Sequence, residues 1–506
     1  MKPITPAEGD AVGEHGAPSS GASIYDDDDS GGTGVVRIAS VAALGGFLFG
    51  YDSAVINGAN SAIESQFNAD AASLGFAVAS ALLGAAAGAV LAGRLADHIG
   101  RLMVMRIAAI LFFVAALGTG LAPNLWILVL FRIIGGLGVG IASVIAPAYI
   151  AEIAPAKLRG RLGSLQQLAI VTGIFISLLV DFIIATVAGS SSADWWLGLE
   201  AWRWMFIAMV VPAVAYGLLA LTIPESPRYL ISKHRIPEAK EILNKLLGSV
   251  NLDAKIQRIR ETMEREKEPS WHDLKMPDTG KIATIVWVGL ALSVFQQFVG
   301  INVIFYYSNI LWEAVGFTED QSFVITVISA TINILTTLIA IATIDKIGRK
   351  PLLLIGSVGM TITLATMSII FGTASTCTAV TATCDAKNVA DKVPDLSTAI
   401  LGSSSANVAL VAANLFVVAF GMSWGPVVWV LLGEMFPNRM RAAALSLAAG
   451  AQWVANWIIT VSFPTLKDWS LALAYGLYAT FALLSFFFVL KWVEETKGKQ
   501  LEDMHG

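Results

Sequence analysis

Apolar stretches of about 20 residues, the length a helix needs to cross the hydrocarbon of a bilayer, recur twelve times along the chain. They predict spans near 36–60, 74–96, 103–121, 126–148, 163–187 and 203–223. Six more fall near 282–311, 321–344, 351–372, 406–433, 441–464 and 470–492. A charged insert separates the sixth from the seventh, so the pattern reads six, interruption, six. The expected fold is an all-α polytopic membrane protein of two six-helix halves, 36–223 and 282–492. Around them lie a tail (1–35), the insert (224–281) and a second tail (493–506).

The tail before the first span runs through Gly, Ser and Pro to the acidic tract Asp26–Asp29, with almost nothing to bury. It is expected to be disordered, and it lacks the basic start and short apolar run of a signal peptide. The insert alternates charge at helical spacing: Glu241 with Lys245, and Glu261 with Arg265, place the acid four residues before the base. Short surface helices are expected there. A nucleotide-binding domain is not, because the insert has no GxxxxGK[ST] loop and no clustered metal ligands.

Composition agrees with the spans. Hydrophobic residues make up 56% and charged residues 14%, against about 25% charged in an ordinary soluble domain. The mean hydropathy is +0.69. A net charge of −5 argues against nucleic acid as a partner; the expected surroundings are lipid. Positive residues fix the orientation. Arg101, Lys157, Arg159, Arg161, the bases of the insert, Lys346, Arg349, Lys350, Arg439 and Arg441 all follow even-numbered spans. The other side holds Arg203, Lys387, Lys392 and Lys467. Both termini and the insert are therefore expected in the cytoplasm of a cell carrying this multi-pass protein in its plasma membrane. Cys377 and Cys384 then fall in an outside loop, where a local disulfide can form.

The cytoplasmic loops repeat six spans apart. Asp97 and Arg101 follow the second span, Asp345 and Arg349 the eighth. Glu152 with Arg159 follows the fourth, Glu434 with Arg439 the tenth. Glu225 and Arg228 end the sixth span, and Glu494-Glu495 ends the twelfth. Duplicated halves place a substrate site near the bilayer midplane, with access alternating as one half rocks on the other. The acid and arginine clusters are expected to act as a cytoplasmic gate, holding the halves together when the inside is closed.

These motifs resemble the sugar porters of the major facilitator superfamily over roughly residues 36 to 500. The carriers of the resemblance are Asp97-His98-Ile99-Gly100-Arg101, Pro224-Glu225-Ser226-Pro227-Arg228, Gln296-Gln297-Phe298-Val299-Gly300-Ile301-Asn302 and Glu495-Thr496-Lys497-Gly498. His98 stands where that family usually has Arg. The stretches Gly45–Asp52 and Gly433–Arg439 are similar to actinobacterial glucose permeases. The resemblance implies a proton-coupled hexose transporter, glucose first, with xylose, galactose and myo-inositol behind. It implies no cofactor, no metal and no enzymatic step, and a chain that works as a monomer.

An amide inside a membrane is costly unless it finds a partner or lines a cavity. Here amides cluster: Gln166 and Gln167 in the fifth span; Gln296, Gln297 and Asn302 in the seventh; Asn333 and Asn414 in the eighth and tenth; Gln452 and Asn456 in the eleventh. Amides both donate and accept, which suits a neutral polyol. Tyr306, Trp424 and Trp429 supply flat faces for a sugar's C–H surface. Gln297 and Asn302 are five residues apart, about 140° around a straight helix, so both can face one cavity only if the seventh span bends near Gly300. The resemblance assigns sugar binding to Gln167, Gln296, Gln297, Asn302, Asn333, Trp429 and Gln452. Interhelical hydrogen bonding remains the competing role for Asn333, Asn414 and Asn456. The Gly84/Gly88 and Gly136/Gly140 pairs are expected to serve close helix packing.

Two ionisable residues lie deep in spans. Asp52 in the first can bind and release a proton as the halves rock, with Arg132 in the fourth supplying or withdrawing a countercharge. Proton-coupled sugar porters carry Asp at the position matching Asp52. A structural ion pair and a passive carrier remain the alternatives. Asp181, near the outer end of the fifth span, is a second acid where related permeases tend to have Asn.

Overall fold

The computed structural model describes residues 32–154, 156–247, 252–265, 274–276, 280–373, 375–376, 399–400, 403–437 and 440–496. Among them are twelve helical segments long and apolar enough to cross a membrane. The first half is built from α1 (Gly32–Ala54), α2 (Ile56–Phe67), α3 (Ala71–Ile99), α4 (Arg101–Gly120), α5 (Leu125–Ile153), α6 (Ala156–Ala188), α7 (Ala201–Ala208) and α8 (Val210–Leu219). The insert carries α9 (Pro227–Ser232), α10 (Ile236–Leu247) and α11 (Leu252–Arg265). The second half holds α12 (Thr284–Phe298), α13 (Ile301–Ala314), α14 (Glu319–Ile347) and α15 (Arg349–Gly372). It ends with α16 (Ser403–Gly421), α17 (Trp424–Met435), α18 (Arg441–Trp469) and α19 (Leu471–Trp492). A two-residue ladder pairs β1 (Ser375–Thr376) antiparallel with β2 (Ala399–Ile400). Cys377 and Cys384 lie outside the described residues, as do both chain ends.

Four spans are each two helices. The first breaks at Val55, the sixth at Met209, the seventh at Gly300 and the tenth between Gly421 and Trp424. The boundaries also differ from the hydropathy pattern. α1 begins at Gly32 and α6 at Ala156, because a helix can continue past the apolar stretch into polar surroundings. Several helices begin on side-chain caps that take up first-turn N–H groups. Asp70 accepts from the Ser73 amide and Asn124 from the Ile127 amide, while Thr318 and Gln321 form a reciprocal capping box on α14.

Close packing follows the small residues. A Cβ on Gly84 would stand 2.1 Å from the Ile133 carbonyl, and one on Gly136 1.9 Å from that of Ala81. Gly88 and Gly140 make matching approaches to Leu137 and Ala85. The two glycine pairs thus face each other across α3 and α5, and any side chain there would push the helices apart. Large apolar residues such as Val90, Val211 and Ile369 are exposed on the outer faces, as lipid-facing positions require.

Candidate substrate-binding site and gates

The seventh span brings its polar residues together by breaking. Gly300 adopts φ +82°, a left-handed conformation that ends α12 and starts α13. Across that break the Asn302 Nδ2 donates to Gln297 Oε1 at 2.6 Å. The bend expected from their spacing is therefore present, and it turns both amides to one side.

Gln296 reaches the second broken span. Its Nε2 donates to the carbonyls of Trp424 and Gly425 at 2.9 and 3.1 Å, in the first turn of α17. Its Oε1 in turn accepts from Gln452 Nε2 at 2.6 Å. Gln452 keeps a buried Oε1 without a partner among the described residues. So α12, α17 and α18 are joined by a chain of amides that ends in a free acceptor. From the first half, Gln166 is buried beside Gly46 with both side-chain polar atoms unpartnered, and Gln167 is half-buried. Asn333 is buried on α14. Unsatisfied amides at this depth are costly unless a ligand or water completes them.

Other candidates are used for packing. Asn414 accepts from Ser329 Oγ and donates to its own helix at Leu410. Asn456 accepts from Thr460 and hydrogen-bonds Tyr306. Trp424 is fully buried, and its Nε1 donates to the Leu353 carbonyl and Ser357 Oγ; it is a structural indole, contrary to its reading as a sugar-facing ring. Trp429, further along α17, keeps 45% of its surface accessible. Sequence reasoning does not single out Trp453, whose ring lies 6.0 Å from that of Phe49 on α1, linking the two halves next to Gln452. Its adjacency to Gln452 was the available signal.

Asp52 and Arg132 meet in the interior of the first half. The Arg132 Nη1 donates to the Asp52 backbone carbonyl at 2.7 Å and lies 3.6 Å from its Oδ2. Among the described residues, no three His, Cys, Asp or Glu side chains gather as metal ligands would.

The acid and arginine clusters form two matching sets of contacts. Arg101 pairs with Glu152 through a two-pronged fork, Nε to Oε2 at 3.1 Å and Nη2 to Oε1 at 2.9 Å, and with Asp97 at 3.1 Å. Arg349 repeats the fork on Glu434 at 3.0 and 2.7 Å. Glu225 accepts from the Arg101 and Leu102 amides, and Glu495 from those of Arg349 and Lys350, each filling the first turn of α4 or α15. Burial nevertheless pushes the Glu225 carboxyl above its ordinary range, against the lowering effect of those amides. Every one of these contacts stays within a half. These contacts brace each half internally, holding the loop ends against the helix ends of their own bundle. The side chains of Arg159 and Asp345, and all of Arg439, lie outside the described residues; Arg228 is described on α9.

At the opposite end, hydrogen bonds tie the halves together. Asn60 Nδ2 donates to the Tyr306 carbonyl at 2.6 Å, and Ser61 Oγ to Glu313 at 2.8 Å. The Asn309 amide donates to Asn57 Oδ1 at 3.0 Å, and the Ser191 amide to Glu319 at 2.9 Å. α2 and α13, the second pieces of the broken first and seventh spans, carry three of these four bonds.

The family model for sugar (and other) transporters matches residues 38–506. This chain belongs to that family. Its fold is that of the major facilitator superfamily, and it is a multi-pass membrane transporter of sugars rather than an enzyme. A glucose transport protein of Synechocystis sp. is 54% identical over 472 residues, covering 93% of this chain and 97% of that one. A D-xylose-proton symporter of Escherichia coli is 36% identical over 93% of this chain and 95% of its own length. The inward open structure of the E. coli xylose transporter XylE superposes with a TM-score of 0.75 at 35% identity, over 93% of this chain and 99% of that one. XylE bound to 6-bromo-6-deoxy-D-glucose gives 0.71, over 93% and 98%.

Proposed function

We propose that this transporter imports a monosaccharide, glucose first, by proton symport with alternating access. The observation that carries the reading is the amide chain from Gln452 through Gln296 to the first-turn carbonyls of α17, beside the Gln297–Asn302 pair. It offers donors and acceptors without fixed charge, as a neutral polyol requires. Gln167, Asn333 and Trp429 complete the proposed site. The 54% identical glucose transport protein favours glucose. Proton coupling is supported by the D-xylose-proton symporter among the relatives and by the Asp52–Arg132 pair. That relative also supports xylose as a second reading, with galactose, myo-inositol and passive uniport as the further alternatives.

The distribution of Lys and Arg supports an orientation with both termini and the insert in the cytoplasm, and the site lies within one chain, which supports function as a monomer. Asp97, Arg101, Glu152, Arg159, Glu225, Arg228, Asp345, Arg349, Glu434 and Arg439 are proposed as the cytoplasmic gate that holds the halves together when the inside is closed and parts when it opens. Cys377 and Cys384 are proposed to pair on the outside. Uptake of labelled glucose into proteoliposomes, with and without an imposed pH gradient, tests the whole. Accumulation that collapses with an uncoupler is expected. Uptake indifferent to both gradient and uncoupler would make the protein a uniporter, and failure of excess glucose to compete for the accumulated sugar would remove glucose as the substrate.

A further inference from the structure

Asp181 is fully buried, with none of its surface accessible, in a segment of α6 apolar enough to span a membrane. Neither carboxyl oxygen completes a hydrogen bond with any described group. The carboxyl is lodged against the backbone of Gly58, where a Cβ would come within 2.8 Å of its Oδ2. The Gly58 amide approaches it without reaching full hydrogen-bond geometry. Gly58 lies in the first turn of α2, immediately beyond the break at Val55, where helix amides lack partners of their own.

The surrounding charges are otherwise engaged. From α1, Tyr51 lies within electrostatic reach of Asp181. Asp52 is opposite Arg132 of α5, Arg203 of α7 is paired with Glu200, Glu313 of α13 accepts from Ser61 of α2, and Glu319 of α14 accepts from the Ser191 amide. No described cation is directed at Asp181. An ionised carboxylate buried without a partner costs far more than the neutral acid. The helix on which it leans, α2, is also the one whose Asn57, Asn60 and Ser61 close this end of the protein.

We propose that Asp181 is a proton-binding site in its own right, protonated while α2 and α13 close this end and releasing the proton to outside water when α2 moves away. The site is separate from Asp52 and holds whether or not Asp52 couples transport. Closing this end then requires a proton on Asp181, so alkaline medium should slow the step that closes it.

The test uses the full chain in proteoliposomes, measuring equilibrium exchange of labelled glucose, which needs no gradient, across a range of pH. Asp52→Asn serves as background, so that failure of the symport reading is scored separately by gradient-driven uptake. Exchange is expected to fall at alkaline pH in Asp52→Asn and to lose that fall when Asp181→Asn is added. Infrared difference spectra of the purified protein between two pH values supply a readout that needs no transport. On the Asp52→Asn background a protonated-carboxyl carbonyl band is expected that is lost when Asp181→Asn is added and displaced when Asp181→Glu is added. An alkaline fall unchanged by Asp181→Asn, or a spectrum with no band that responds to Asp181→Asn or Asp181→Glu, would overturn the proposal.

Discussion

Arg132 holds Asp52 by its backbone more closely than by its carboxylate: 2.7 Å to the carbonyl oxygen against 3.6 Å to Oδ2. In an unbroken helix that carbonyl would serve the amide of Ile56, which here starts α2 after the break at Val55. The guanidinium therefore braces the hinge of the first span and lies beside the carboxylate at the same time. Asp52 Oδ2 has no hydrogen-bond partner among the described residues.

Asp52→Asn keeps the carbonyl contact and removes the ionisable group. Sugar exchange is expected to persist while gradient-driven accumulation is lost, measured in the same proteoliposomes. Arg132→Lys replaces a planar fork by a point charge, so both modes should fall together. Accumulation retained in Asp52→Asn would end the coupling assignment.

Gln297→Ala and Asn302→Ala each remove one member of the pair across the Gly300 break. A hydrogen bond of about 1 kcal/mol corresponds to roughly a fivefold rise in KM for the sugar, more for Gln452→Ala, which also strands Gln296 Oε1. Initial-rate uptake is the measurement, with surface expression as its control. Wild-type KM in all three would remove these amides from the site.

Gly300→Ala should be among the most damaging single-methyl changes in the chain. Its φ of +82° costs an L side chain about 1–2 kcal/mol, and the new Cβ would stand 2.6 Å from the Tyr478 ring. Lower thermal stability in detergent and reduced transport are expected together. A variant as stable and active as the wild type would mean the break is not required.

Arg101 and Glu152 should be coupled, and Arg101 and Glu434 should not. A double-mutant cycle on thermal unfolding with Arg101→Lys and Glu152→Gln is expected to show an interaction of about 0.5–3 kcal/mol. The cycle pairing Arg101→Lys with Glu434→Gln should be additive, since each fork closes within its own half. Coupling across the halves would show that these residues clasp the two halves together in the state measured.

Glu225 gives a pH signature of stability. Burial raises its carboxyl in the folded state, so the folded protein binds the proton more tightly than the unfolded chain. Its contribution is fully present below the unfolded value and is lost as pH rises through the folded one. Glu225→Gln should flatten that decline relative to wild type in melting curves taken from mildly acidic to neutral pH. Parallel curves for the two proteins would contradict it.

The number of spans and the duplication were legible in the chain because a bilayer demands long uninterrupted apolar helices, and that demand is local in sequence. The bend at Gly300 was legible for a related reason: Gln297 and Asn302 cannot share a face of a straight helix. Partner choice was not. Spacing shows that Arg101 and Arg349 have glutamates to meet, but only the closing of each bundle decides that these are Glu152 and Glu434 of the same half. Trp424 and Trp429 are indistinguishable as sequence, yet one indole is consumed by Leu353 and Ser357 and the other stays accessible, because they leave α17 on different sides. Asp181 reads as a lone acid in an apolar run; that its carboxyl completes no hydrogen bond among the described residues appears only once α2 is folded against it. The sequence determined where polar groups enter the membrane, through the local rule that each must be justified. The tertiary structure decided which of them are satisfied by the protein and which are left for a ligand or a proton, because hydrogen bonds between helices depend on how the helices turn and cross.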